Sequence, residues 1–157
     1  MEKELKKFFL LLGIIISCLV INVPVFAQDM EETISDEETD EDYSEDTTYS
    51  MLRGNNLSFG TVKISKLASN KVHVYGLTQC HHSCDVLYLT LTLERKVKGV
   101  YSTYKTWTFT TKNNSQLVKG IDVIVPSGYY YRVRGYHAAK DGSKESVTTL
   151  TKGVLVK

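Results

Sequence analysis

The sequence has 157 residues, of which 24% are charged and 42% hydrophobic, and its formal net charge is only +1. That small value conceals two segments of opposite sign. The segment from Gln28 to Ser50 has eleven acidic residues and no basic residue, whereas Met51 to Lys157 has sixteen Lys or Arg against five Asp or Glu. These charges, about −11 and about +11, indicate the kind of partner but exclude nothing about the reaction chemistry and name no activity.

The N-terminal residues have the pattern of a secretory signal. Three lysines precede an apolar stretch from Phe8 to Ile21, and small residues suit cleavage after Ala27, so we predict a signal peptide over 1–27. The apolar run is shorter than the ~20 residues of a spanning helix, and no second run follows, so we expect an exported mature chain without a membrane span. The alternatives are an uncleaved anchor and a lipid anchor on Cys18, whose surroundings loosely resemble a lipobox.

The acidic segment, 28–52, predicts a disordered linker. It has a high net charge and almost nothing apolar to bury, so we expect an extended, self-repelling tether. Two roles are open for such a tether. It is a solubilising spacer, or it competes intramolecularly for a basic face of the domain behind it.

The remaining residues, 53–157, predict one small all-β domain. No stretch has helical apolar spacing, and β-branched and aromatic residues alternate instead. The predicted strands are Leu57–Leu67, Lys71–Thr78, Val86–Lys96, Ser102–Thr111, Leu117–Val125, Tyr129–Ala138 and Glu145–Val156, the last of which is one strand or a pair broken around Gly153. Turn signals every ten or so residues favour a single antiparallel β-sandwich of seven or eight strands. Four aligned leucines form its predicted spine: Leu87, Leu89, Leu91 and Leu93.

The stretch 126–146 supports the sandwich through a resemblance. Its residues Pro-Ser-Gly-Tyr-Tyr-Tyr-Arg-Val-Arg, followed by an Asp-Gly turn, resemble the sixth-to-seventh strand region of fibronectin type III domains, which have an immunoglobulin-like fold. The resemblance implies that Tyr129 is the tyrosine-corner residue and that Tyr131 and Val133 point inward. Trp107 departs from the pattern, because it lies in the fourth predicted strand whereas that family has its core Trp in the second.

Most of 53–157 also resembles a second family. The matching residues are Gly76, Thr78, Cys84-Asp85, Leu89, Leu91, Leu93-Glu94, Trp107, Tyr130-Tyr131-Arg132-Val133, Gly135, His137 and Glu145-Ser146. They are similar to a domain-of-unknown-function family of small secreted proteins from Gram-positive bacteria. The resemblance implies an exported β-sandwich and implies no activity.

The run Cys80-His81-His82-Ser83-Cys84 is the most unusual local feature. In an exported protein, two nearby cysteines usually pair, so we predict a disulfide between Cys80 and Cys84, worth about 2 kcal/mol in the chain-entropy model. As an alternative, Cys80, His81, His82 and Cys84 bind a metal ion, with help from His73 or His137 because four ligands within five residues are hard to arrange tetrahedrally. A redox-active pair is a third interpretation, although the spacing is not that of oxidoreductases.

Catalytic machinery is not evident. The sequence has no serine-nucleophile elbow, no zinc-protease motif and no phosphate-binding loop. We expect its five domain carboxylates to lie at strand ends, turns and an edge without converging, and we expect His137 to be structural although it could act as an acid or base. We therefore predict no enzyme, no catalytic residue and no cofactor.

A polar face remains as the candidate binding site. If the third and sixth predicted strands are neighbours, their outward residues form one face: Tyr88, Thr90, Thr92, Tyr130, Arg132, Arg134 and Tyr136. Tyr packs against sugars and Arg binds phosphate or carboxylate, although these are also ordinary residues of exposed strands. We predict a secreted or cell-wall-associated binding module for an anionic polymer, glycan or protein surface. The alternative is a small toxin-like or inhibitor-like effector acting through the Cys80–Cys84 loop. Nucleic acid is not expected, because the chain is exported and has no nucleic-acid motif.

Overall fold

The computed structural model describes residues 37–50 and 55–157, which lie within one compact unit, Ser35–Lys157. The predicted signal peptide 1–27, Cys18 and the first residues of the acidic segment lie outside the described residues, so those assignments stay predictions. Among the residues that are described, none is helical, and no helix is long and apolar enough to cross a membrane.

The described residues form eight strands, which confirms the all-β class. They are β1 (Glu38–Thr39), β2 (Tyr43–Tyr49), β3 (Leu57–Ala68), β4 (Lys71–Val97), β5 (Val100–Ile124), β6 (Tyr129–Asp141), β7 (Ser143–Leu150) and β8 (Gly153–Val156). Hydrogen bonding links them in the order β1-β8-β6-β4-β3-β2, with β5 also paired to β4 and β7 also paired to β6. The sheet is mixed, because β1 runs parallel to β8 while all other pairs are antiparallel, and a purely antiparallel arrangement is therefore wrong.

The long strand β4 organises the sheet. One of its sides pairs with β5 along both halves, whereas on the other side its first half pairs with β3 and its second half with β6. The β4–β5 hairpin closes through Lys98-Gly99, whose φ angles of 52° and 85° suit the tight two-residue turn. This arrangement makes β6 a direct neighbour of the second half of β4, as expected for the third and sixth predicted strands.

Two predicted chain breaks are bulges inside continuous strands. Gln79 pairs with Gln116 and Cys84 with Asn114, so four residues of β4 lie opposite a single residue of β5. The Asn-Asn-Ser sequence at 113–115, which falls in the gap between two predicted strands, stays within β5. Asn113 accommodates the irregularity with a φ of 50°. Asn tolerates this left-handed conformation better than most residues, which explains why the strand continues.

The disordered linker predicted for 28–52 is wrong for its described part. Tyr43–Tyr49 forms strand β2 and pairs with β3 in full register. Its acidic side chains approach lysines, with 3.0 Å between Asp42 and Lys66 and 3.6 Å between Glu45 and Lys63. Edge-strand hydrogen bonds and these ion pairs order a segment that has little apolar surface of its own.

The core is formed by the apolar positions that alternate along β3, β4, β6 and β8. All four predicted spine leucines are fully buried, together with Val62, Ile64, Val72, Val74, Tyr131, Val133, Val154 and Val156. Burial of each leucine contributes roughly 1.5–3 kcal/mol. The inward orientation predicted for Tyr131 and Val133 is confirmed.

The tyrosine-corner role predicted for Tyr129 belongs instead to Tyr131. The Tyr131 hydroxyl donates a 2.9 Å hydrogen bond to the Pro126 carbonyl, five residues upstream, whereas Tyr129 is 37% exposed. Strand alternation explains the correction, because Tyr131 shares the inner face of β6 with Val133 and can reach back to the chain from there.

Candidate functional site

The register of β4 to β7 places an ordered set of polar side chains on one outer face. Paired residues of antiparallel neighbours project to the same side, so each row of partners lies across the sheet. The rows, from β5 through β4 and β6 to β7, are Lys112–Val86–Lys140–Lys144, Thr110–Tyr88–Ala138–Ser146, Thr108–Thr90–Tyr136–Thr148 and Thr106–Thr92–Arg134–Leu150. We call this surface the tyrosine–lysine face. It contains five of the seven predicted face residues: Tyr88, Thr90, Thr92, Arg134 and Tyr136.

Lysine and tyrosine side chains meet at one end of the tyrosine–lysine face. The Lys144 ammonium lies 4.8 Å from the centroid of the Tyr88 ring and 5.6 Å from that of Tyr136. No ion pair of the described chain involves Lys112, Lys140 or Lys144. This end therefore combines aromatic rings with positive charge that no carboxylate of the described residues pairs with.

Arg132 does not lie on an open surface, so its prediction as a ligand-binding residue is wrong. It is 2% exposed and donates a 2.6 Å hydrogen bond from Nε to Glu94, while its guanidinium lies 3.9 Å from the centroid of the Tyr101 ring. Arg134 donates a 3.0 Å bond to the other oxygen of Glu94. One buried carboxylate thus binds both arginines, and the β5 residue Tyr101 covers the first of them.

Tyr130 lies at the far end of the same β6 face. It is half-buried and pairs with Leu155 of β8, beyond Arg132 and away from the lysine row. The structure therefore separates Tyr130 from Tyr88 and Tyr136, which the sequence had grouped with it.

The bulge of β4 forms a second cluster, which lies directly beyond the lysine row, since Cys84 precedes Val86 by two residues and Asp141 follows Lys140. Cys80 and Cys84 are both buried and both free thiols in the structure, and they hydrogen-bond to each other. Burial raises the pKa of Cys80 to about 12 and also raises that of Cys84, so both are protonated at neutral pH. The predicted disulfide between them stays a prediction.

Three potential metal ligands converge at this bulge. The ligand atoms of His82, Cys84 and Asp141 all lie within 4.8 Å of one another, and His82 Nε2 is 3.0 Å from an Asp141 carboxylate oxygen. Of the four predicted ligands, His82 and Cys84 are therefore brought together. His81 is exposed and outside this group.

The two histidines predicted to complete the ligand set are elsewhere. His73 pairs across β4–β5 with Asp122 at 2.6 Å. His137 is buried, with its ring nitrogens 3.0 Å from the Thr78 hydroxyl and 2.9 Å from the Thr149 hydroxyl. Burial lowers the pKa of His137 to about 4, so this residue is a neutral core group and has no path to a substrate.

Several domain carboxylates act electrostatically on the same thiol. Three of the five acidic residues in Met51–Lys157, namely Asp85, Asp141 and Glu145, lie close enough to Cys84 for their charges to raise its pKa. Glu145 also accepts hydrogen bonds from the backbone N–H groups of Asn56 and Leu57, with the shorter one at 2.9 Å. The bulge is thus an acidic location within an otherwise basic part of the chain.

Comparison with known families places the chain. The sequence model of a family of unknown function, DUF6147, matches residues 31–153. The chain belongs to this family. The resemblance to a domain-of-unknown-function family is therefore confirmed, and membership in DUF6147 assigns no activity.

Other comparisons add little to this family membership. No curated protein matches the sequence. The crystal structure of chicken MD-1 complexed with lipid IVa aligns at 12% identity and a TM-score of 0.32, covering 74% of this chain and 94% of that one. At that TM-score the likeness carries no argument about fold or ligand.

Sequence reasoning missed two features of these sites. Asp141 was assigned to a turn, because nothing local links it to a histidine 59 residues earlier in the chain. The sequence did not distinguish the lysines of the first row from the general positive charge of the domain. Their alignment follows from strand register, which a single sequence does not specify over such distances.

Proposed function

We propose that this member of DUF6147 is a non-enzymatic binding module that acts outside the cell and holds an anionic glycan-type polymer on the tyrosine–lysine face. The polymer class is a chain of sugar or polyol units that bear phosphate or carboxylate groups. The observation that carries the proposal is the row Lys112–Val86–Lys140–Lys144 next to Tyr88 and Tyr136, whose lysines have no carboxylate partner within 37–50 and 55–157.

The spacing of the face suits an extended polymer. Strands lie about 4.8 Å apart, so Lys140 and Lys144 are neighbours and Lys112 lies two strands from Lys140, roughly 10 Å away. A polymer with repeated charges can contact several of these ammonium groups along one row. The aromatic rings provide apolar surfaces on which sugars pack.

Threonine hydroxyls extend the face beyond the tyrosines. Thr90 and Thr108 lie 3.3 Å apart between their hydroxyl oxygens, as do Thr92 and Thr106. These contacts are long for hydroxyl hydrogen bonds, so each group retains capacity to donate to or accept from a polyhydroxylated ligand.

The absence of an enzymatic role is part of the same proposal. The described rows, extended by one row to Glu94 and Arg132, contain one acidic residue. This residue is Glu94, and two arginines bind it. Both of its carboxylate oxygens accept hydrogen bonds from these arginines, so the group is held by the protein itself.

We also propose that the sheet folds into the two-layer sandwich predicted from the sequence. A Cβ atom added at Gly60 of β3 would clash with His137 of β6, and one added at Gly76 would approach Leu91 to 2.6 Å. These contacts support two closely packed layers. One layer is β3 with the first half of β4, and the other is β6 with the second half of β4.

The binding proposal is tested with matched charge reversals in the purified protein. Immobilised poly(glycerol phosphate), a polyuronate and neutral dextran are compared across a salt series. We expect Lys140→Glu/Lys144→Glu to bind both anionic polymers roughly thirtyfold more weakly, since two exposed contacts of about 1 kcal/mol each are lost. Lys98→Glu/Lys157→Glu makes the same change in net charge away from the face and is expected to bind normally.

A third variant separates glycan recognition from simple ion exchange. Tyr88→Thr keeps a residue type that is favourable in strands and already surrounds the site, but removes the ring. We expect weaker binding to the polymers without a change in salt dependence. Equal losses in the two charge-reversal variants, or no binding to either anionic polymer at low salt, would contradict the proposal and direct attention to a protein partner or the β4 bulge.

A further inference from the structure

The cluster at the β4 bulge has a composition unlike the rest of the domain. His82 and Cys84 come from the bulge itself, and Asp141 comes from the end of β6, which the β6–β7 turn follows at once. The three side chains offer one imidazole nitrogen, one sulfur and one carboxylate, all within 4.8 Å of one another. None of them belongs to the tyrosine–lysine face, so this cluster needs an explanation of its own.

Several backbone contacts hold the cluster in place. His81 donates its backbone N–H to the Asn56 carbonyl at 3.0 Å, while the Asn56 side chain donates to the backbone carbonyls of Asp141 and Ser143 at 3.0 and 3.2 Å. Asn56 thus ties the bulge of β4 to the β6–β7 turn. The ligand atoms are positioned by two elements that are fixed to each other and not by a flexible loop tip.

The local charge also favours a cation. Asp85, Asp141 and Glu145 all act electrostatically on Cys84, in a segment that otherwise has sixteen basic residues. Asp141 already contacts the exposed His82 ring, so its carboxylate is oriented toward the cluster.

We propose that His82, Cys84 and Asp141 form a binding site for a zinc-class divalent cation. Zinc accepts nitrogen, sulfur and carboxylate oxygen together, at metal–ligand distances of 2.0–2.3 Å. Three ligand atoms within 4.8 Å of one another can reach these distances around one ion if the site contracts slightly. Calcium and magnesium prefer all-oxygen sites, so the buried sulfur selects against them. Binding replaces the proton of the Cys84 thiol, and a water molecule is the fourth ligand.

Cys80 has a different role in this proposal. It is not one of the three converging ligands, and its thiol hydrogen-bonds to Cys84. A disulfide between the two cysteines would consume the sulfur that the metal needs. Metal binding at Cys84 and the disulfide predicted from the sequence are therefore mutually exclusive.

The test uses the full, thiol-reduced, metal-free protein and two pairs of matched variants. Zn²⁺ is added in a calorimetric titration, and Co²⁺ is added in parallel because a cobalt–thiolate bond gives a near-ultraviolet charge-transfer band. We expect one ion per chain and a thiolate band. His82→Gln, Cys84→Ser and Asp141→Asn should each weaken binding by more than the roughly tenfold that loss of an outer-shell partner costs. The adjacent changes His81→Gln and Cys80→Ser should leave binding and the band in place.

Three results would overturn the proposal. The first is no stoichiometric binding by the reduced protein. The second is equal loss in His81→Gln and His82→Gln, which would indicate loose surface coordination. The third concerns protein isolated from its native source without reductant. If its mass is lighter by two hydrogens and it does not bind Zn²⁺, Cys84 is in a disulfide. All three results are independent of polymer binding by the tyrosine–lysine face.

Discussion

Two buried polar centres flank β6 on its opposite faces, and they are stabilised in different ways. On the inner face, His137 is uncharged and hydrogen-bonds to the hydroxyls of Thr78 and Thr149. On the outer face, Arg132 is charged and its partner is the carboxylate of Glu94. The two sides of one strand thus bury polar groups by two routes, neutrality on the inner side and charge pairing on the outer side.

This difference decides which basic residues are available to a partner. Glu94 binds both Arg132 and Arg134, so the arginine end of the outer face is already neutralised in part. Lys140 lies six residues beyond Arg134 along β6, Lys144 lies across the β6–β7 hairpin, and neither has a carboxylate partner among the described residues. Basic residues therefore contribute to stability at one end of the face and, as proposed, to recognition at the other end.

Removal of the Glu94 charge should have the largest effect. Glu94→Gln removes the carboxylate charge that pairs with the buried Arg132, and we expect a loss of about 3–5 kcal/mol in the free energy of unfolding. Urea denaturation measures it. Glu45→Gln removes a surface carboxylate from Lys63 and should cost no more than about 1 kcal/mol. Equal costs for the two variants would show that the Glu94 centre is solvated.

The inner centre should instead respond to pH. The pKa of His137 is lowered from 6.5 to about 4, so the folded protein binds the proton less well than the unfolded chain. The stabilising contribution is complete above pH 6.5 and is lost as the pH falls toward 4. The shift corresponds to about 3 kcal/mol.

Stability measured from pH 7 to pH 4 in the native protein and in His137→Gln tests this linkage. The two slopes should differ by the contribution of one histidine, whatever the absolute cost of the substitution. An imidazole resonance of His137 that titrates near pH 6.5 in the folded protein would contradict the buried, neutral state.

Local alternation predicted much of the fold. The period-2 pattern of β4 placed the four leucines in the core, because this strand has one apolar face. The resemblance to fibronectin type III domains placed Tyr131 and Val133 there. It failed for β2, whose alternating residues are acidic or hydroxylated and are ordered by Lys63 and Lys66 of the next strand. Pairing partners that lie about twenty residues away leave no local signal.

The site was predicted only in part for related reasons. Alternation correctly assigned Arg132 to the outer side of β6, but it does not reveal what covers that side. Tyr101, at the start of β5, lies against the Arg132 guanidinium, so an outward residue became a buried one. Asp141 was missed because its contact with His82 depends on the pairing of β4 with β6, and the whole of β5 separates these two strands in the sequence.

The smallest effect tests the tyrosine corner, the one inner-face polar group of β6 with a backbone partner. Tyr131→Phe removes the hydroxyl that donates to the Pro126 carbonyl, and we expect a loss of about 1 kcal/mol in the free energy of unfolding, the net value of a neutral hydrogen bond. Tyr129→Phe, at the position that the fibronectin resemblance implied, should change stability by less than about 0.5 kcal/mol. Burial raises the pKa of Tyr131 and the Pro126 carbonyl does not titrate, so the Tyr131→Phe cost should be the same at pH 5 and pH 7, in contrast to the linkage at His137. A larger cost for Tyr129→Phe would return the corner to the residue that the sequence pattern favoured.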